Sequence, residues 1–315
     1  MSIFNKAYYR VFKPKNMTLG LIFAIEAYEG AIPKMERQIE MAKRAEELEF
    51  SALWFRDVPL YDPDFGDVGQ IYDPWVYLGY VAAQTKNISL GTAAIIFSLR
   101  HPIDLAKAAF SVDQLSNGRL ILGIASGDRL IEYPAYGIDF ESRDRRFREA
   151  VNDFRQLYNS FPKYESIFGF LNGQVDLLPK PTSKKIPLLI TGFSRQNIQW
   201  IAQNSDGWLM YPREILLQQP IVNNWNNEVK KTKSKFKPFA QSLYIDLVKD
   251  PDANFERIHL GYRLGRNKLL KHLKALKEIG VNHVFFNLKY SKRPADEVIE
   301  ELGKFIVPHF LPLEI

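Results

Sequence analysis

The chain has 315 residues, is 46% hydrophobic and 25% charged, and carries a formal net charge of +6, the profile of an ordinary globular protein. Its basic residues are interleaved with acids and leave no nucleic-acid footprint; the absence of cysteine excludes disulfides, thiolate nucleophiles and Cys-ligated metals. No apolar run is long enough to span a bilayer and the N-terminus lacks a signal-peptide core, so a cytoplasmic protein with no membrane and no nucleic-acid partner is expected.

Taken in order, the chain alternates apolar strand-like runs with amphipathic helices. The strands are TLGLIFAI from Thr18, ALWFRD from Ala52, ISLGTAAII from Ile88, LILGIA from Leu120, PLLITG from Pro187, GWLMYP from Gly207, SLYIDLV from Ser242 and HVFFNL from His283. Helices are predicted at 34–49, at 74–85 and at 102–114, with Pro102 at the permitted first turn, and at 267–279, with Gly280 as terminator. Asn117 and Gly118 suit the left-handed cap that ends a helix before strand four. Eight such units predict one α/β domain over 1–315, a closed (β/α)8 TIM barrel, because right-handed crossovers place each helix outside a parallel sheet. An open doubly wound sheet is the alternative, but no strand-turn-helix unit carries a dinucleotide glycine fingerprint. Extra length falls after strand four (128–141), before strand five (161–186) and after strand seven (249–266). The middle stretch reads as a hairpin around Asn172-Gly173; the outer two follow strands and are lid candidates on the catalytic face.

Metal chemistry has little support, since the five histidines form no HxH or HExxH pair, and the acidic run from Asp62 to Asp67 reads as a solvated loop. The basic run VKKTKSKFK from Val229 reads as a solvated helix end. The remaining candidates are strand ends. ITGFSRQN runs from strand five through Gly192 into a helix that Ser194 is placed to cap, which suits either an anion site or an ordinary helix start. Ala125, Ser126 and Gly127 remove bulk at the end of strand four, as Gly91 to Ala94 do in strand three, where barrel packing explains them equally well.

In sequence, WFRD, LGTAAIIFSLRHPIDLAK, DQLSNGRLILGIASG, YPAYGIDFESRDRRFREAV and PLLITGFS…AQNSDGW resemble the bacterial luciferase-like monooxygenases, flavin-dependent oxidoreductases, over most of the chain. The resemblance implies a luciferase-like barrel in which reduced FMN and O2 oxygenate a small organic substrate, with a separate flavin reductase as partner; a deazaflavin F420-dependent hydride-transfer enzyme and a non-catalytic flavin-binding protein are the alternatives. It further implies a non-proline cis bond at Ala93–Ala94 beneath the flavin. Thr92, Ala93, Ala94, Ala125, Ser126, Gly127 and Tyr133 would then line the ring. Gly192, Phe193, Ser194 and Asn197, helped by Arg195, would hold the phosphate, and Met210 and Tyr211 would pack nearby. Phe23, Phe55 and Phe97 would belong to a dry wall or to the core. Asp57 stands where luciferase has its catalytic histidine, and acts as an acid/base, hydrogen-bonds the ring edge or is the ion-pair partner of an arginine. His259 and Glu132 are catalytic candidates beside Asp57 and, with Tyr133 and Tyr61, candidates for substrate contact. A homodimer through the helices at 74–85 and 102–114 is expected on the same resemblance.

Overall fold

The computed structural model describes residues 2–313. In chain order its strands are β1 (Thr18–Ile22), β2 (Ala52–Phe55), β3 (Ser89–Thr92), β4 (Ile95–Ile96), β5 (Leu120–Ala125), β6 (Lys163–Ser166), β7 (Gly169–Asn172), β8 (Leu188–Thr191), β9 (Gly207–Met210), β10 (Phe239–Leu247), β11 (Glu256–Ile258), β12 (Gly261–Leu264) and β13 (His283–Asn287). The helices are α1 (Lys6–Val11), α2 (Gln38–Glu47), α3 (Pro74–Gln84), α4 (Pro102–Leu115), α5 (Glu132–Ala135), α6 (Arg143–Gln156), α7 (Ile198–Asn204), α8 (Ile215–Lys230), α9 (Arg266–Glu278) and α10 (Ala295–Phe305).

Eight parallel strands close a barrel in the order β1, β2, β3, β5, β8, β9, β10, β13 and back to β1, as the eight apolar runs predict. Every residue of β1, β2, β3, β9 and β13 is buried, because helices cover the outer face and side chains fill the inner one. The inner core is Ile22, Trp54, Ile121, Leu189, Leu209 and Phe285, closed from below by Tyr8 of α1 and by Phe12 just after it. Trp54 stacks on Phe285 at 4.7 Å. Below that pair runs a polar chain: Trp54 Nε1 donates to His283 Nε2 (2.9 Å), His283 Nδ1 lies 2.8 Å from Thr18 Oγ1, and Thr18 Oγ1 donates to the Val11 carbonyl (2.9 Å). Because Trp54 can only donate and the Thr18 proton is already placed, Nδ1 carries the histidine proton. Burial depresses the His283 pKa to about 3, so the ring stays neutral.

Local chemistry sets the element boundaries. His101 Nδ1 caps α4 by accepting from the Ile103 amide (3.2 Å), and Asn117 and Gly118 leave it at φ 56° and 80°, the expected left-handed exit. Other expectations need correction. Helix α2 starts at Gln38 rather than residue 34, because Met35 and Arg37 are left-handed and the Lys34 and Met35 amides donate to Glu26. The hairpin before the fifth barrel strand exists as β6–β7, but Ser166 pairs with Gly169, so its turn is at Ile167-Phe168; Asn172 ends the second strand. The stretch after the seventh barrel strand contains the antiparallel pair β11–β12, with β12 added parallel to β10. The basic run is not all solvated: Lys237 Nζ donates to the carbonyls of Ala202 (2.5 Å) and Ser205 (2.6 Å) at the end of α7.

Candidate active site

Two adjoining cavities open at the C-terminal ends of the strands, where TIM barrels carry their chemistry. One, of about 320 Å³, lies between the ends of β3, β5 and β8 and is walled by Ala93, Ala94, Ala125, Ser126, Gly127 and the segment Thr191 to Ser194. The other, of about 400 Å³, sits on the barrel core itself: Ile22, Leu209 and Phe285 form its floor, and Tyr244, His259, Asn287 and Tyr290 stand around it. Arg56, Phe65, Ala93, Thr191 and Tyr211 border both.

The first cavity is shaped by the break between β3 and β4. The Ala93–Ala94 peptide is cis, as is Phe23–Ala24. Gly123 on the neighbouring strand is required by that break, since a Cβ there would stand 1.9 Å from the Thr92 carbonyl oxygen. Thr92 is itself buried behind the wall, its Oγ1 donating to the Gly123 carbonyl (2.7 Å). At Gly127, φ is 76° and a Cβ would meet Ile96 and the Tyr133 hydroxyl, so internal packing also demands the glycine. Gly192 is different: φ is 57° and no atom lies within 4 Å of where a Cβ would stand. Directly after it, Ser194 and Arg195 are also left-handed. The Gly192 amide donates to Leu209 (2.8 Å) and that of Gln196 to Phe193 (2.8 Å), whereas the amides of Phe193, Ser194 and Arg195 have no acceptor among the described residues. The Thr191 hydroxyl, buried at the junction of the cavities, has none either.

Ser194 does not cap the helix. Its hydroxyl donates to the Thr191 carbonyl (2.8 Å) and accepts from the Ser126 amide (3.3 Å), tying the β8 end to the β5 end. The cap is Asn197, which accepts from the Trp200 amide (2.8 Å) and is exposed outside the cavity walls. Tyr133 is fully buried behind Gly127, with its hydroxyl bonded to the Ser126 carbonyl and 2.8 Å from Ser98 Oγ. Glu132 is also fully buried; burial raises its pKa, opposed by Arg129, and neither cavity is lined by it. Phe23, Phe55 and Phe97 belong to the core between barrel and helices, not to a dry wall. Tyr61 borders an outer groove instead. Asp57, Met210, Tyr211 and His259 do reach the cavities.

Asp57 forms the ion pair. Its Oδ1 accepts from Arg100 (2.7 Å), and Oδ2 accepts from Arg100 and from the Ile96 amide (2.9 Å). Burial pushes this carboxyl up, while Arg100 and the Ile96 amide act against it. The sequence reading missed a second cluster on the chamber wall. Asp67, placed above in a solvated loop, accepts from Arg56 (2.9 Å), Tyr28 (2.5 Å) and the Gly69 amide (2.8 Å), and Lys289 Nζ lies 3.5 Å away. Burial alone would raise its pKa, but Arg56, Tyr28 and Gly69 outweigh that and hold it below the usual range. Arg129 donates to the carbonyls of Leu60 (3.4 Å) and Asp67 (3.2 Å) and lies 4.4 Å from the Phe65 ring centre, so the loops after β2 and β5 lock together over the mouth. Among the described residues no group of three or more His, Asp or Glu is placed to hold a metal ion, and no helix is long and apolar enough to cross a membrane.

This chain belongs to the luciferase-like monooxygenase family, whose model matches residues 17–249. It is 33% identical over 151 residues to an uncharacterised protein of Mycobacterium tuberculosis (strain ATCC 25618 / H37Rv), covering 47% of this chain and 53% of that one. It is 36% identical over 118 residues to the oxygenase component of a flavin-dependent trigonelline monooxygenase of Acinetobacter baylyi (strain ATCC 33305 / BD413 / ADP1), covering 37% and 31% of the two chains. The chain thus spans about half the length, or less, of these curated relatives. Its fold matches that of an F420-dependent secondary alcohol dehydrogenase solved with an F420–acetone adduct, with a TM-score of 0.76 at 17% identity, over 92% of this chain and 98% of that one. Homologues in the family use FMN or F420 for oxidoreductase chemistry.

Proposed function

We propose that this protein is an FMN-dependent monooxygenase whose reduced flavin, delivered by a separate reductase, binds across the two cavities. The observation that carries this reading is the segment Gly192 to Arg195: three consecutive amides without acceptors, beside a glycine that leaves open space, at the rim of a cavity floored by alanines. Such a segment suits a phosphate, because oriented N–H groups favour an anion and the missing Cβ lets oxygen come close. Ala93, Ala94 and Ala125 leave room for a planar ring against backbone. Bound there, the flavin supplies the oxidation chemistry with O2, and the protein supplies position, orientation and exclusion of water.

The part of the chamber over Phe285 that the flavin leaves free takes the organic substrate. Its floor is apolar, while Tyr244, His259, Asn287 and Tyr290 offer hydrogen bonds, so a compact molecule with polar substituents fits it better than a long alkyl chain. Arg56 and Asp67 neutralise each other on its wall and keep Tyr28 and the β2 loop in place. Phe65 and Arg129 cover the mouth. Asp57 acts here through structure: paired with Arg100, it fixes the end of β4 to the segment after β2. A homodimer through α3 is part of the proposal, supported by the exposed Tyr72, Val76 and Tyr80 on and before that helix. Light scattering that finds only 36.5 kDa particles at micromolar concentration would remove it.

Titration with oxidised and reduced FMN and with F420, followed by oxygen consumption with NADH and a flavin reductase, tests the assignment. Binding of reduced FMN with substrate-dependent oxygen uptake is expected. Turnover with reduced F420 alone, or tight flavin binding without turnover on any substrate of a broad panel, would replace it with the hydride-transfer or the flavin-carrier reading.

A further inference from the structure

The opposite end of the barrel carries a separate cavity of about 120 Å³, between α1 and the turns that lead into β3 and β5. Lys6, Arg10, Lys86 and Arg119 stand in its wall and, among the described residues, no carboxylate does. Arg119 is buried, and all its guanidinium hydrogens go to neutral oxygens. Nε donates to Ser116 (2.8 Å), Nη1 to Thr85 Oγ1 (2.9 Å) and the Ile88 carbonyl (3.0 Å), and Nη2 to the carbonyls of Ala82 (2.7 Å) and Thr85 (3.1 Å). Its charge is therefore held in place without a carboxylate in contact. None of the four cations forms an ion pair among the described residues.

Two carboxylates, Glu46 and Glu49, act on Arg10 from the end of α2. Glu46 is already engaged, accepting from the amides of Lys86 (2.9 Å), Asn87 (2.5 Å) and Ile88 (2.8 Å). Among the described residues, four cations face two acids at this spot. Two donors here also lack partners among the described residues: Arg10 Nε and the hydroxyl of Ser89, which is fully buried and lines the cavity. Native proteins keep few unsatisfied buried donors without a ligand or water to receive the proton.

We propose that this cavity binds a small tetrahedral oxyanion of the phosphate or sulfate kind, held by Arg10, Lys86 and the Ser89 hydroxyl under the field of Arg119. The anion joins α1, the cap of the barrel floor, to the turns before β3 and β5, so its effect is on the stability of the closed end rather than on the reaction at the mouth. This inference does not depend on which cofactor the rim takes.

The test is calorimetric titration of the full chain with inorganic phosphate at constant ionic strength made up with chloride, with melting followed in parallel. One phosphate per chain at this end, a Tm that rises with the logarithm of phosphate, and competition by sulfate are expected. Lys86→Gln, on an exposed residue, should weaken binding about tenfold through loss of one charge-assisted contact, and Arg10→Gln at least as much. Gly192→Val at the other end should leave this affinity unchanged. Absence of heat and of any Tm shift would overturn the proposal. So would displacement by chloride as effective as by sulfate, or binding that survives Lys86→Gln but is lost in Gly192→Val, which would place the anion at the rim.

Discussion

The interior of the barrel and its upper rim are made by the same strands but treat their polar groups in opposite ways. Inside, Trp54, His283 and Thr18 form a chain that ends on the Val11 carbonyl, every link satisfied within the protein. At the rim, a few residues further along neighbouring strands, the Thr191 hydroxyl and the amides after Gly192 have no partner among the described residues. The interior chain is closed on itself, whereas the rim keeps donors that can still take up an acceptor. The rim is not loosely built for that reason. Ion pairs at Asp57–Arg100 and Arg56–Asp67 and the cross-strand bonds of Ser194 hold the open groups in position.

The difference can be tested from the fold outward. Gly123→Ala drives a Cβ into the Thr92 carbonyl at the strand break, so it should cost at least about 3 kcal/mol, because backbone on both sides has to move. Denaturant unfolding that matches the parent chain would show the break to be more yielding than described. Arg100→Met should cost about 3 kcal/mol, since it leaves the Asp57 carboxyl buried with the Ile96 amide as its remaining donor. Asp57→Asn should cost less, and a double variant that recovers stability relative to Arg100→Met would identify the stranded charge as the cause.

A third prediction concerns the interior. Burial lowers the pKa of His272 from 6.5 to about 4, so below pH 6.5 the unfolded chain takes up a proton that the folded chain refuses. The contribution of this residue is complete above pH 6.5 and declines as pH falls toward 4, by up to about 1.4 kcal/mol per pH unit. His272→Leu should lose that slope, and subtracting the two profiles cancels the acids common to both. Parallel profiles would mean that the ring titrates normally. The smallest effect belongs to the cover of the mouth. Phe65→Ala removes the partner of Arg129 and should raise the rate of flavin release about threefold with little change in Tm. An unchanged rate would take Phe65 out of the cover.

The eight strands were legible in the sequence because parallel strands covered on both faces read as short continuous apolar runs, and none of the eight is misplaced by more than a few residues. Features set by backbone handedness were not. The left-handed Met35 and Arg37 shorten α2, and the turn at Ile167-Phe168 has neither the glycine nor the asparagine that marks a two-residue hairpin. At the rim, small residues gave a readable signal, and Ala93, Ala94, Ala125 and Gly192 line the cavities. Side chains whose role depends on distant partners did not. Thr92, Glu132, Tyr133 and Asn197 occupy the expected segments but face away from the open space, whereas Arg56, Asp67 and Arg129 border it. Arg56 and Arg129 each follow a barrel strand by no more than a few residues, and a charge so close to a buried strand end was the signal to look for.

Everything at the rim turns on whether a phosphate-bearing flavin is held by the segment after Gly192. Fluorescence titration of FMN against the parent chain and Gly192→Val answers this, since valine both fills the open space and resists a φ of 57°. One FMN per chain, with affinity lowered at least about tenfold in the variant while its melting transition stays cooperative, is the expected outcome. Equal affinity in both proteins, or no binding by the parent chain in either redox state, would contradict it.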